Sequence, residues 1–248
     1  VSNLRYQFLW PTAFAVATAV VLHLLGLRVW SSGLCFALSA FVVGTIVQEF
    51  WRGARVRQGA TGSDLLTSMI GLVSRSHRRY GGYVVHLGIV LMFLGFAGEG
   101  YKQESQLQLA PGQAATVGGF TFTHRSIKVS DDGQKQMVTA HMELSRDGKD
   151  LGVMDPAKWF FRKREEEPTT EVAIRRGAWE DVYVVMAAFD VQQQTGQFHL
   201  VVNPLVNWIW VGFGILALGT FIAMLPESSF AFAASRVPEG EGKATVAS

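Results

Sequence analysis

Four long apolar runs occur along the chain, separated by polar segments. They occupy residues 8–27, 34–50, 83–98 and 205–225. A helix of about 20 residues rises by about 30 Å and so crosses the hydrocarbon core of a bilayer. We therefore predict about four transmembrane helices. The first two form a hairpin, because the link between them is too short for any other connection.

Between the third and fourth runs, apolar residues recur at every second position, which is typical of a β-strand with one buried face. In the clearest example, Phe120, Phe122 and His124 alternate with threonines before the turn residues 131–133. Further strands are predicted at 138–144, 171–175, 181–189 and 197–202. Thr195-Gly196 is predicted to form a hairpin tip. The region is large enough for a modest core of its own.

These patterns predict a membrane all-α bundle of about four transmembrane helices, with a small antiparallel β-domain inserted outside the membrane. The charged piece 162–168, which ends in a proline, is predicted to be a solvated loop of that domain. The predicted organisation is a transmembrane hairpin at 1–50, an Arg-rich loop at 51–79, a transmembrane helix at 80–98, the β-domain at 99–202, a transmembrane helix at 203–225 and a disordered tail at 226–248.

The arginines orient the predicted spans. The segment between the second and third runs has one acid, Asp64, and six arginines: Arg52, Arg55, Arg57, Arg75, Arg78 and Arg79. Short loops rich in arginine stay in the cytoplasm, whereas long loops cross the membrane regardless of their charge. We therefore predict that 51–79 and the tail are cytoplasmic and that the β-domain faces outward.

Composition supports a membrane protein and excludes several other classes. Hydrophobic residues make up 49% of the chain and charged residues 17%. The formal charge of +2 is too small to suggest nucleic-acid binding. Cys35 is the only cysteine, which excludes an internal disulfide and a thiolate metal cluster. The sequence also lacks the GxSxG, HExxH and Gly-rich phosphate motifs, so no catalytic constellation is evident.

His86 lies in the middle of the third run, where an ionisable side chain costs several kcal/mol unless something binds it. It could be a neutral imidazole hydrogen-bonded to a neighbouring helix. It could also be an axial ligand of a haem held between helices. Gly82 and Val90 lie one turn away on the same face. Gly88 and Gly95 recur nearby, which would let the backbone approach a flat macrocycle.

The other histidines have weaker claims to a ligand role. His86 is about 10 Å from the predicted cytoplasmic edge, whereas His23 is over 20 Å from it. Because two ligands of one iron must share a depth, His23 is predicted to be a packing residue. His77 is predicted to lie at headgroup level. Surface or half-buried positions are expected for the three histidines on predicted strands, His124, His141 and His199.

Several segments occur together in the order found in a known family. They are 78–89 with its His-Leu-Gly pattern, 171–174, 181–183 and 205–212. From about residue 21 to residue 225, the chain resembles the carboxy-terminal part of CcmF, the haem-handling subunit of the cytochrome c haem lyase. The family holds a b-type haem between two transmembrane histidines. The resemblance therefore implies that His86 is an axial ligand of haem b and binds its iron.

Other parts of that family are missing from this sequence. Its tryptophan-rich haem-binding motif, its pair of outward-facing histidines and its other transmembrane ligand lie in the amino-terminal part. We therefore expect this chain, which begins at Val1, to be a fragment or a split subunit completed by a second polypeptide. By itself it should not perform haem ligation.

The resemblance also implies a setting and partners. The chain would be a multi-pass protein of the bacterial inner membrane, with the β-domain in the periplasm. The family takes haem from the chaperone CcmE and joins it to CxxCH thiols of apocytochrome c, while haem b passes electrons, from quinol, that keep the incoming iron reduced. Implied partners are the amino-terminal part of the lyase, CcmH-type and CcmI-type subunits, CcmE and apocytochrome c.

Two alternatives stay open on the sequence. The chain could be a structural membrane anchor that presents an extracytoplasmic β-domain, with His86 packing and no haem. It could also be half of a transporter. The spans, however, lack the broken-helix pairs and the internal repeat expected of one.

Overall fold

A computed structural model of the chain describes residues 2–27, 29–62, 64–162 and 164–225. The helices are α1 (Ser2–Leu24), α2 (Trp30–Thr61), α3 (Leu65–Arg75), α4 (His77–Ala97) and α5 (Asn207–Met224), with a 3₁₀ turn at Gly98–Tyr101. By length and composition, four helical segments within the described ranges could cross a membrane: Gln7–Leu24, Trp30–Thr61, His77–Tyr101 and Asn207–Met224. The prediction of about four apolar helices is confirmed.

The chain forms two compact units. The first comprises the described residues of Val1–Ala17, Leu38–Val90 and Gly212–Ser248, and the second those of Thr18–Ala37 and Leu91–Val211. Helices α1, α2, α4 and α5 each contribute residues to both units. The β-domain belongs wholly to the second unit.

The Arg-rich segment predicted as a loop is mostly helical. Helix α2 continues to Thr61, because the residues after 50 include good helix formers and no proline. Gly62 follows with a φ of 67°, a conformation that ends helices readily. Asp64 then caps α3, its side chain accepting a hydrogen bond from the Thr67 amide at 3.2 Å. The cytoplasmic location of this segment stays a prediction.

Within the described ranges, ten strands form an antiparallel β-sandwich. One sheet has the order β1 (Gln103–Leu109), β10 (Thr195–Pro204), β9 (Glu180–Asp190) and β8 (Ala173–Arg175). The other has the order β2 (Ala114–Val117), β3 (Phe120–Asp131), β4 (Lys135–Arg146), β6 (Ala157–Phe161) and β7 (Arg164–Glu171), while β5 (Lys149–Met154) also pairs with β4. The predicted class of the inserted domain, antiparallel β, is confirmed.

The sandwich has a dense apolar core. Its fully buried side chains include Phe122, Met142, Val184, Met186, Phe198 and Leu200. Strand β3 alternates buried and half-buried positions over 120–124, as its period of two predicts. Removing these large side chains from water is the main stabilising contribution to such a domain.

Two local predictions within the domain are wrong. Thr195 and Gly196 are not a hairpin tip: they pair with Asp190 and Phe189, and the turn lies at 191–194. The described part of the segment predicted as a loop at 162–168 contains the start of β7. Because β7 is an edge strand of its sheet, it tolerates a proline, whose missing N–H is not needed there. The predicted tail at 226–248 lies outside the described residues.

Candidate ligand-binding face of helix α4

His86 is an exposed residue of α4 with one ring nitrogen fixed. Its Nδ1 lies 2.7 Å from the backbone carbonyl oxygen of Gly82, one turn earlier. A carbonyl can only accept, so Nδ1 carries the proton and Nε2 keeps its lone pair. Among the described residues, no group hydrogen-bonds to Nε2. This is the arrangement of a histidine whose second nitrogen is free to bind a metal.

The surface beside the imidazole is open. A Cβ added to Gly82 would meet no atom within 4 Å outside its chain neighbours and its own helix backbone, so there is open space at this position. A flat macrocycle ligated through Nε2 needs such space along the helix. The residues present therefore fit one axial ligand of a haem. They would supply one ligand to the iron, the Nε2 of His86.

Two of the glycines expected to face a macrocycle serve helix packing instead. A Cβ on Gly88 would lie 2.5 Å from the amide nitrogen of Leu216 on α5. Within the second unit, a Cβ on Gly95 would lie 2.5 Å from a carbon of Ile209. Side chains at these positions would separate the helices, which is why small residues favour close helix packing in membranes. Their predicted role beside a macrocycle is wrong.

The packing face and the candidate ligand-binding face of α4 are distinct. Gly81 meets Ala223 and Gly219 of α5 in the same manner as Gly88 meets Leu216. His86, five residues beyond Gly81, is turned by roughly 140° around the helix. Val90, expected on the His86 face, is buried at 6% exposure. The open face is therefore narrower than the sequence predicts.

A charged and aromatic cluster lies at the first turn of α4. Arg79 donates from Nη2 to Glu49 at 2.7 Å and from Nε to the hydroxyl oxygen of Tyr83 at 3.0 Å. Phe50 packs edge-on against Tyr80, with ring centroids 4.9 Å apart. The residue patterns did not predict this cluster, although the spacing of Arg79 and Tyr83 by one helical turn is a usable signal.

Two of the other histidines differ from expectation. His23 is exposed in the last turn of α1 and not packed. His77 is buried at 4% exposure, and its headgroup depth stays a prediction. His124 points inward from β3 and is fully buried. The predicted surface or half-buried positions hold for the remaining two. His141 lies 2.6 Å from Asp155, and His199 lies 3.3 Å from Glu104.

Parts of this chain are similar to known proteins. Residues 100–204 match the family model described as the CcmF C-terminal beta-sandwich. CcmF of Pseudomonas aeruginosa is 27% identical over 216 residues, which are 87% of this chain and 31% of that protein. The biogenesis protein ccl1 of Rhodobacter capsulatus is 33% identical over 134 residues, covering 54% of this chain and 20% of that one.

A solved structure of the cytochrome c haem lyase CcmF has the same fold. It superposes with a TM-score of 0.70 at 22% identity, covering 90% of this chain and 34% of that one. The described chain has four helices of membrane-spanning length, and the curated relatives it matches are cytochrome c biogenesis proteins. It is similar to the carboxy-terminal part of CcmF proteins. It spans about a third of the length of the curated relatives it matches.

Proposed function

We propose that this chain is the carboxy-terminal part of a cytochrome c haem lyase and that His86 is an axial ligand of a haem b within the membrane. The observation that carries the proposal is the hydrogen bonding and exposure of the His86 imidazole. Its Nδ1 is bonded to the Gly82 carbonyl and its Nε2 is exposed beside an open helix surface. The similarity to CcmF proteins supports the nature of the ligand.

Each residue of the site has a definite task in this proposal. The Gly82 carbonyl fixes the tautomer and orientation of His86, and a hydrogen bond at that nitrogen makes the other a stronger ligand. Close packing at Gly88 holds α4 against α5, so the imidazole is presented from a fixed helix. A haem bound here supplies one-electron transfer, which keeps iron delivered for attachment in the reduced state. Residues of the amino-terminal part of the lyase would complete the haem site.

The proposed location and partners follow from the similarity to CcmF proteins. The helices lie in a bacterial inner membrane and the β-sandwich lies in the periplasm. There it serves as a scaffold or a docking surface for CcmE, apocytochrome c and the CcmH-type and CcmI-type subunits. The electron donor is a quinol. We assign no catalytic residue to the sandwich, and the chain requires its amino-terminal partner for haem ligation.

A visible spectrum tests the proposal. The chain is produced together with the amino-terminal part of the lyase, and the complex is purified as His86→Ala, His23→Ala and unmodified protein. We expect His86→Ala to lose the Soret band of a b-type haem. His23→Ala should keep it, because that exposed histidine is also in an apolar helix but has no role in the site. A Soret band that persists unchanged in His86→Ala would favour a structural anchor without haem.

A further inference from the structure

Arg79 is fixed in place by several contacts at once. Two of its nitrogens donate to Glu49 and to Tyr83. Its guanidinium carbon also lies 5.7 Å from the ring centroid of Tyr83 and 5.9 Å from that of Tyr80. By contrast, the neighbouring Arg78 is exposed and makes no hydrogen bond or ion pair within the described residues. An arginine that only reaches for headgroups needs no such fixing.

The fixed guanidinium still has unused donors. It has five N–H groups, of which two are engaged, and its side chain is 60% exposed. No other hydrogen-bond acceptor contacts it among the described residues. A planar guanidinium with a free edge is suited to bind a carboxylate through two parallel hydrogen bonds.

The charge around Arg79 also favours an anion. Glu49 is shared between Arg79 at 2.7 Å and Arg52 at 3.6 Å. Two positive groups therefore surround one negative group, and this cluster keeps a net charge of +1. At the end of an apolar helix, an uncompensated positive charge is stabilised by a partner of opposite sign.

Arg79 and His86 share a face of α4. They are seven residues apart, which corresponds to about 10 Å along the axis and a difference of only about 20° around it. Gly82, whose outer side is open, lies between them. The same face thus presents a ligand nitrogen for iron and, two turns away, a cation with a free edge. A haem carries its iron and its two carboxylates at a comparable separation.

We infer that Arg79 binds a propionate carboxylate of the haem held by His86. The inference rests on the proposed function and adds the orientation of the ligand, with the propionates directed towards the start of α4. Glu49 and Tyr83 are positioning residues, because they act by holding the guanidinium. An anionic phospholipid headgroup is the competing partner for the same cation.

The test compares haem b with its dimethyl ester, in which both carboxylates are blocked. The lyase complex is loaded with either form, and the rate of loss of the His86-dependent Soret band to apomyoglobin is measured. The unmodified complex should lose the ester roughly tenfold faster than haem, since a charge-assisted pair of this kind is worth about one power of ten or more. Arg79→Gln should lose both at similar rates, and Arg78→Gln should behave as unmodified protein.

The outcomes distinguish a failure of the Arg79 inference from a failure of the proposal that His86 binds haem. If the unmodified complex shows no His86-dependent Soret band, both proposals fail. If Arg79→Gln discriminates between haem and ester as well as unmodified protein does, only the present inference fails. The same holds if that variant loses bound phospholipid in native mass spectrometry while its discrimination is unchanged. Should Arg79→Gln not fold, Arg79→Lys keeps the charge without the fork and should show reduced discrimination.

Discussion

Two regions of the molecule each hold a histidine by one ring nitrogen bonded to a backbone carbonyl. On α4, Nδ1 of His86 lies 2.7 Å from the Gly82 oxygen. In the sandwich, Nε2 of His124 lies 2.9 Å from the Gln194 oxygen. In both rings the bonded nitrogen is the protonated one and the other keeps its lone pair.

The surroundings give these two rings opposite uses. The free Nε2 of His86 lies on an exposed face, whereas the free Nδ1 of His124 is buried and has no hydrogen-bond partner in the described part of the chain. The His124 ring packs 5.1 Å from Phe198 in the core and ties the 191–194 turn to β3. A histidine with a spare nitrogen is therefore a ligand candidate only where neighbouring elements leave that nitrogen uncovered.

The helical spans and the sandwich also differ as a whole in how much of their surface the chain itself buries. Only 6% to 33% of the residues in the candidate spans are buried within the chain. The sandwich buries a continuous set of large apolar side chains. The sandwich thus carries its own stabilising core, whereas the helices need lipid or other polypeptide to cover them and approach one another through glycines.

The strongest test of this contrast substitutes glycines on the two faces of α4. Gly88→Leu places a side chain 2.5 Å from the Leu216 amide and should lower the free energy of unfolding by about 1–3 kcal/mol or more. Gly82→Leu should leave it unchanged or raise it by up to about 1 kcal/mol, because the site is open and glycine is a poor helix former. Thermal unfolding in detergent measures both variants.

For haem content we expect Gly82→Leu to be the more damaging of the two leucine variants. Gly82→Leu fills the open surface beside His86, so we expect it to lose the Soret band although the protein is stable. Equal destabilisation by the two leucines would show that the two faces of α4 are not distinct.

A comparable effect is expected from His124→Ala in the sandwich. The change leaves a cavity and an unsatisfied Gln194 carbonyl, and it should cost about 2–4 kcal/mol. Urea unfolding followed by tryptophan fluorescence measures the loss. His141→Ala is the matched control, because its half-exposed pair with Asp155 should contribute less than about 1 kcal/mol. A similar cost for both would mean that burial does not distinguish these histidines.

The smallest effect concerns an exposed ion pair of the sandwich. Arg125 donates to Glu143 at 2.6 Å and holds the pKa of the Glu143 carboxyl below its ordinary value. A carboxyl with a lower pKa in the folded chain stabilises the fold above its unfolded pKa, and that contribution is lost as pH falls through the folded pKa. Unfolding midpoints measured from about pH 7 to about pH 3 should therefore fall less in Arg125→Gln than in unmodified protein.

The expected difference is small because both side chains are about half exposed, and added salt should shrink it further. A variant that loses stability with acid as steeply as unmodified protein would rule out a contribution from this pair.

Periodicity predicted most of the architecture. Apolar runs of spanning length lead directly to four helices, and the period of two around Phe122 leads to an antiparallel domain, because burial of one face imposes each repeat. Some local features were not predicted by periodicity. Pro168 suggests a loop, yet its place on the edge of a sheet permits a strand. Which strand lies at an edge depends on pairing between distant residues.

Some features of the candidate site likewise follow from the sequence, and others only from the tertiary structure. The sequence alone determined that an ionisable ring lies within an apolar run, since residue type and run length are local properties. It also contains the i−4 spacing that lets Gly82 hold Nδ1 of His86. Only the tertiary structure decided that Gly88 serves helix packing while Gly82 stays open, and that His124 is enclosed while His86 is exposed. The reason is that exposure is set by which other elements cover a face, and no local pattern of residues records that.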